Sequence, residues 1–401
     1  MLKSFFKVQR RTNSMSLSFV KNKELLEPLL PIPHAFATFS VDKSKHDRSI
    51  FEEIAIGQTL GAWETSIAEI ETLRGLVAKI VSFEEQEHTY VATVAIPVST
   101  WHGRLAWLMA ILYGKMSFYE GIQLSSVRFS DDAFSGAHAL PGPRHDISDL
   151  RTLVGAAQNV PLLMGILKPN VAMPDEKIAD LYEQVAEAGV HIVKDDEIRH
   201  DDSPLKTLSR VKAVAKRAAS KNLKTLYAVH FQADVDLNAS VVRELEDAGA
   251  NALLLNVWTS GLGTLQWLRS HTRLPILAHP ALVGAFGLGS TTSRIHPKVT
   301  LGQLLRAGGA DLSLFPSPYG KLGLPLEVAQ SIANVCLNDE QPVKKMTPVP
   351  SAGIKPEHGP LARKDFGHDF VLNAGTGIFA ASVSPAHAVQ AFRKGLYEGN
   401  S

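Results

Sequence analysis

The stretch His191-Ile192-Val193-Lys194-Asp195-Asp196-Glu197 sets a short apolar run directly against a lysine and three carboxylates. Charges at the end of an apolar strand are costly unless they are paired or bound to something. Side chains alternate along a strand, so Lys194 and Asp196 point to one face and Asp195 to the other. Glu197 falls just past the strand end, where it can turn toward the Lys194 face. Two carboxylates and a lysine then converge. Hard oxygen donors of this kind suit Mg²⁺. A lysine joins such a set once its neutral amine has taken up CO₂, because the carbamate is an anionic oxygen donor. The same residues also fit a solvated acidic turn with one salt bridge.

The surroundings of this stretch decide the fold. Eight short apolar runs follow residue 160: Leu162–Leu167, Val190–Val193, Thr225–Phe231, Ala252–Val257, Pro275–Ala278, Leu312–Phe315, Met346–Pro350 and Phe370–Asn373. Helix-like segments lie between them, among them Asp175–Ala188, Pro204–Ser220 and Ala239–Ala248. Glycines at 189 and 249 read as helix ends. Strand and helix alternating in this way predict a parallel (β/α)₈ barrel, whose chemistry sits at the C-terminal ends of the strands. Polar residues fall there: Lys168, Lys194 to Glu197, His230, Asn256, His279, Ser317, Lys321, Ser351, Gly353, Gly375 and Gly377. A random scatter would not track strand ends. His230 reads as a histidine satisfied within its strand.

With 401 residues the chain has room for the barrel and a second domain. Residues 33–145 read as a smaller α+β domain with strands at His34–Val41, Val91–Ile96 and Ile122–Phe129 and helices at Asp47–Gly57 and Leu105–Tyr113. Pro141-Gly142-Pro143 links it to a barrel over 146–401. Residues 1–32 form a basic tail, with six lysines and arginines and no acid before residue 24. That tail fits an organellar presequence, but reads better as a disordered arm or an extension upstream of a start at Met15. A cytoplasmic protein is expected. A net charge of +1 argues against nucleic acid as a partner, and no apolar run is long enough to span a membrane. One cysteine, Cys336, excludes a disulfide framework.

Taken together, these residues resemble the RuBisCO superfamily. The small domain, Ile166-Leu167-Lys168-Pro169 and Lys194-Asp195-Asp196-Glu197 occur in that order there, and the likeness runs from about residue 33. The finer similarity is to the 2,3-diketo-5-methylthiopentyl-1-phosphate enolase branch of RuBisCO-like proteins. It rests on Ile54–Trp63, Leu226–Val229, Ala278–Phe286, Ser313–Gly320, Val349–Ile354 and Asp365–Gly377. The resemblance implies a C-terminal TIM barrel under a ferredoxin-like N-terminal domain, and a homodimer with active sites shared between subunits. It implies Mg²⁺-dependent enolisation of the diketone phosphate in methionine salvage. Lys194, as a carbamate, with Asp196 and Glu197 would hold the metal. Lys115 would be the proton-abstracting base, and Lys168 would act on the substrate near its reacting carbons. Asp195, His279, Ser351, Gly353, Gly375 and Thr376 would bind substrate, the last three at its phosphate.

The implied chemistry is physically coherent. Mg²⁺ on a 1,2-diketone acidifies the adjacent C–H, and a neutral, desolvated lysine can take that proton. Glycine lets backbone N–H groups approach a phosphate closely. Some residues depart from the branch. Thr376 stands in a glycine-rich turn, and Lys321 stands where serine is usual. Gly57 occupies the position of a RuBisCO glutamate and Leu314 that of a histidine, which argues against carboxylation. The alternatives are another RuBisCO-like isomerase or decarboxylase acting on a sugar phosphate, ribulose-bisphosphate carboxylase, and a non-catalytic binding protein.

Overall fold

The computed structural model describes residues 29–61, 73–232, 237–287, 294–320, 322–379 and 383–398. Most of the basic tail, with Met15, and Lys321 lie outside the described residues. Four strands build the smaller sheet: β1 (His34–Asp42), β2 (Lys79–Glu85), β3 (Thr89–Pro97) and β4 (Ile122–Phe129). They pair in the order β2-β3-β1-β4, with every neighbour antiparallel. With helical segments after β1 and β3 this is a ferredoxin-like βαββαβ unit. The sequence reading missed β2, whose outer half alternates weakly and ends in exposed Glu84 and Glu85. The segment expected as a helix over 47–57 begins at Ile50 and relaxes into a π-helical turn, Glu53–Gly57.

All eight apolar runs are parallel strands: β5 (Leu162–Ile166), β6 (Ile192–Lys194), β7 (Leu226–His230), β8 (Ala252–Leu255), β9 (Ile276–Ala278), β10 (Leu312–Pro316), β11 (Thr347–Ser351) and β12 (Val371–Ala374). Their order, β11-β10-β9-β8-β7-β6-β5-β12, is that of a barrel opened between its seventh and eighth strands. Asn373 spans that seam, donating from Nδ2 to Ser351 Oγ at 2.7 Å.

Strand alternation explains what lies inside. Leu162, Ile192, Ala228, Leu254, Leu277 and Val349 form an inner apolar cluster, with Ile147 and Leu150 packed among its members. Those two come from the helix Ile147–Val154, which Asp146 and Asp149 start with a reciprocal capping box. The intervening residues, Leu163, Val193, Tyr227, Leu253 and Phe315, join the outer core beneath the helices. Two residues further along from Ile192, Ala228, Leu254, Leu277, Val349 and Val371 come Lys194, His230, Asn256, His279, Ser351 and Asn373. The same alternation that packs the barrel therefore lines its mouth with polar groups.

The small domain sits on the barrel through specific polar contacts. Gln303 Oε1 accepts from Val127 N–H at 2.8 Å, and Gln303 Nε2 donates to Ser126 Oγ at 2.9 Å. Gln266 ties residues 103 and 105 in the same way.

Candidate active site

Lys194 is fully enclosed, at 0% exposure. Its Nζ donates to the Asp195 carbonyl at 2.9 Å and to Glu197 Oε2 at 3.2 Å. Burial lowers its pKa by disfavouring the ammonium, although Glu197 and Asp196 pull the other way. Glu197 is pushed up by its own burial, but the Lys194 charge and the hydrogen bonds to the carboxylate together outweigh this, and its pKa ends below the usual carboxylate value. Lys168 follows β5 and reaches across to Asp196 Oδ2 at 2.6 Å. His279, just past β9, brings Nε2 to 3.3 Å from Glu197 Oε2. Burial also holds His279 well below the ordinary histidine pKa, so it meets Glu197 as a neutral ring.

A cleft of about 380 Å³ opens beside this group, lined by Lys168, Asn170, Val171, Asp196, Ile198 and Phe379. Ser351 ends β11, and Gly353 follows it in a left-handed conformation, φ +71°. Gly375 closes β12 beside the Lys168 stem: a Cβ there would lie 3.2 Å from Lys168 Cε. Thr376 opens the short helix Thr376–Phe379 and is exposed. Lys168, Lys194, Asp196, Glu197 and His279 thus gather through direct contacts, while Ser351, Gly353, Gly375 and Thr376 end the last two strands.

Asp195 departs from the expectation. It has 0% exposure and faces outward from the barrel, not into the cleft. Its Oδ1 accepts from Tyr227 Oη at 2.6 Å and Asn170 Nδ2 at 3.2 Å. Its Oδ2 accepts from Arg210 at 3.0 Å and from His230 N–H at 3.0 Å. Both oxygens are taken, so Asp195 braces the wall of the site. Alternation along β6 puts it on that face.

Lys115 stands apart. It lies on the small domain at the end of a π-helical turn, Ala110–Gly114, with 55% of its side chain exposed and Nζ 2.6 Å from Glu53 Oε1. Among the described residues nothing covers its amine from solvent beyond this contact.

Sequence reasoning assigned no role to two asparagines at the mouth. Asn256 Nδ2 donates to the Glu197 carbonyl at 3.0 Å and lies 3.3 Å from His230 Nε2. Asn373 supports Ser351. Each keeps a buried Oδ1 without a hydrogen-bond partner. Asn256 directly follows β8 and Asn373 lies near the end of β12, both on the inner face, a signal that strand parity carries. His230 is satisfied within the wall, its Nδ1 2.8 Å from the Arg199 carbonyl.

The donor set fits Mg²⁺ on chemical grounds. Asp196 and Glu197 offer hard oxygens, each now neutralised by a lysine, Lys168 and Lys194 respectively. Among the described residues no group of three His, Cys, Asp or Glu forms a metal site. The unmodified side chains supply two carboxylates, Asp196 and Glu197.

No family model matches the chain. A 2,3-diketo-5-methylthiopentyl-1-phosphate enolase from Bacillus velezensis is 35% identical over 370 residues, covering 89% of this chain and 90% of that protein. The enolase of the same name from Geobacillus thermodenitrificans is 34% identical over 382 residues, covering 90% and 91%. Among solved structures, a rubisco-like protein from Alicyclobacillus acidocaldarius superposes with TM-score 0.79 at 31% identity, covering 92% of this chain and 93% of that one. The fold is that of the RuBisCO superfamily. Within it, the chain belongs to the family of the 2,3-diketo-5-methylthiopentyl-1-phosphate enolases.

Proposed function

We propose that the protein is an isomerase that enolises 2,3-diketo-5-methylthiopentyl 1-phosphate in methionine salvage, with Mg²⁺ as cofactor. The observation that carries this reading is the convergence of Lys194, Glu197, Asp196 and Lys168 at the barrel mouth of a chain so similar to these enolases. Asp196, Glu197 and Lys194 would hold the metal, with Lys194 as a carbamate. Its burial supports this role, since an enclosed lysine favours the neutral amine that reacts with CO₂. Bound Mg²⁺ supplies electrophilic polarisation of the dicarbonyl.

The remaining roles belong to the chain itself. Lys168 and His279 orient substrate oxygens beside the metal ligands. N–H groups at Gly353, Gly375 and Thr376 hold the phosphate, and the Cβ-free approach at Gly375 keeps Lys168 close to it. Lys115 removes the C1 proton. Only barrel residues line the cleft among the described residues, and Lys115 is exposed. Both facts support a homodimer in which the partner's small domain covers each barrel and desolvates the base. No described helix is long and apolar enough to cross a membrane. The setting we propose is the cytoplasm, with Cys336 free and buried.

The test incubates purified protein with Mg²⁺, bicarbonate and the diketone phosphate while following the absorbance of the enol. A parallel sample receives ribulose bisphosphate and labelled bicarbonate. Enol formation without carboxylation is expected. Label incorporation, or no enol under saturating Mg²⁺ and bicarbonate, would overturn the assignment.

A further inference from the structure

Lys115 is not a free surface lysine. Its Nζ lies 2.6 Å from Glu53 Oε1, and the same oxygen accepts the Tyr119 hydroxyl at 2.7 Å. Glu53 has only 14% of its side chain exposed. It opens one π-helical turn, Glu53–Gly57, and Lys115 directly follows another, Ala110–Gly114. Such turns displace a residue from the regular helical spacing and recur at functional sites. Here they bring the two charged residues together from separate segments. A cleft of about 240 Å³ runs along Glu53 and Tyr119, lined also by Lys45, His46, Asp47 and Ser49.

We propose that Glu53 is the positioning residue and counter-charge of Lys115, acting when the lysine takes up the substrate proton. This rests on the reading of Lys115 as the base. In that step the C1–H bond breaks, its electron pair stays with the substrate, and a new N–H bond makes the amine an ammonium. Positive charge therefore develops 2.6 Å from a carboxylate whose position is already fixed. An interaction that strengthens as charge develops lowers the barrier, as a buried carboxylate does for a histidine base. Tyr119 moderates it by sharing the oxygen. Burial, followed by the Glu53 hydrogen bond, pushes Tyr119 up to about 12, so its hydroxyl remains a donor.

The other ionisable groups nearby are committed elsewhere. The His46 ring packs on Tyr119 and its Nε2 lies 2.7 Å from the Glu120 carbonyl. Lys45 pairs with Glu120 at 3.3 Å. Asp47 caps Ser49, Arg294 binds the Ser117 carbonyl, and Tyr113 donates to the Ile122 carbonyl.

The experiment compares wild type, Lys115→Ala, Glu53→Gln and Tyr119→Phe as Mg²⁺- and bicarbonate-activated full-length enzyme, with kcat and KM measured across pH. Lys115→Ala tests the underlying reading, and retained activity would remove it. If that variant is inactive, Glu53→Gln is expected to lower kcat about 10- to 100-fold with KM little changed. The ascending limb of its kcat profile should move about one unit toward acid, because the ammonium loses its counter-charge. Tyr119→Phe should move the limb the other way, since Glu53 then serves Lys115 alone. A loss of fold integrity would not shift the two limbs in opposite directions. Should Glu53→Gln fail to fold, the Tyr119→Phe shift decides alone. An unmoved limb in whichever of these variants folds would overturn the proposal while leaving the Lys115 reading standing.

Discussion

Lys194 and Lys115 make an instructive pair, because the proposed chemistry uses both and their surroundings are opposite. Lys194 is at 0% exposure, on the inner face of β6, with Glu197 and the Asp195 carbonyl on its amine. Behind it, Asp195, Arg210, Tyr227 and Asn170 form a closed hydrogen-bonded wall. Lys115 lies on a separate domain, half-exposed, with one carboxylate for company. The described barrel residues gather within one chain and are fixed by strand alternation, whereas Lys115 on the small domain stays half-exposed. A metal site needs ligands held in place before the ion arrives, whereas a base can be brought to it by a second body.

The comparison breaks most readily at Lys194. Lys194→Ala should reduce enol formation by at least about 1000-fold, an effect expected when an essential group of the reaction is lost. Wild-type activity should rise on preincubation with bicarbonate and Mg²⁺ and fall in CO₂-free buffer. Full activity in rigorously CO₂-free buffer would exclude the carbamate.

The two regions should also differ in stability. Asp195→Ala leaves Arg210 enclosed without one of its two carboxylate partners, and should cost about 3 to 5 kcal/mol in urea unfolding. Lys115→Ala breaks a half-exposed pair whose Glu53 keeps the Tyr119 hydrogen bond, and should cost about 1 kcal/mol. Equal losses would remove the distinction between a buried wall and an open rim.

A pH dependence sharpens the barrel side. His191 accepts the Leu163 N–H at Nδ1, 3.0 Å, and burial pulls its pKa down to about 4. Its folded value lies below its unfolded value. The stability it contributes is therefore present above about pH 6.5 and is lost as pH falls toward 4. Between pH 8 and pH 5 the loss from this group should be about 2 kcal/mol. His191→Gln should flatten that part of the profile, and an unchanged slope would assign the acid sensitivity elsewhere.

The smallest expected effect is at the phosphate end. Thr376→Gly should lower KM several-fold with kcat nearly constant, because phosphate contacts act alike on ground and transition states. An unchanged KM would make the threonine neutral.

Much of the barrel was legible because its signal is local. Each apolar run became a strand, and an inner-face residue at the C-terminal end of most of them became part of the mouth. The exceptions have physical causes. Asp195 was expected at the substrate because the resemblance weighed more than the alternation that turns it away. Strand β2 was missed because a half-exposed edge with two glutamates carries little periodic pattern. Asn256 was placed at a strand end and Asn373 closed the eighth run, but neither drew a role, because their hydrogen-bond partners lie on or just past other strands and cannot be read from local pattern. Glu53 could not be paired with Lys115 from sequence at all. That contact joins distant segments through two π-helical turns, which have no simple periodicity.

The most direct test of the account is subunit complementation between its two regions. Lys115→Ala and Lys194→Ala proteins are mixed under conditions of subunit exchange, with mixed dimers confirmed by mass spectrometry of tagged chains. If each site pairs one chain's barrel with its partner's small domain, every mixed dimer regains one intact site. Random exchange of equal amounts should then restore about a quarter of wild-type activity. No recovery in a sample with proven mixed dimers would contradict the account, because every site would then carry a defect of its own chain.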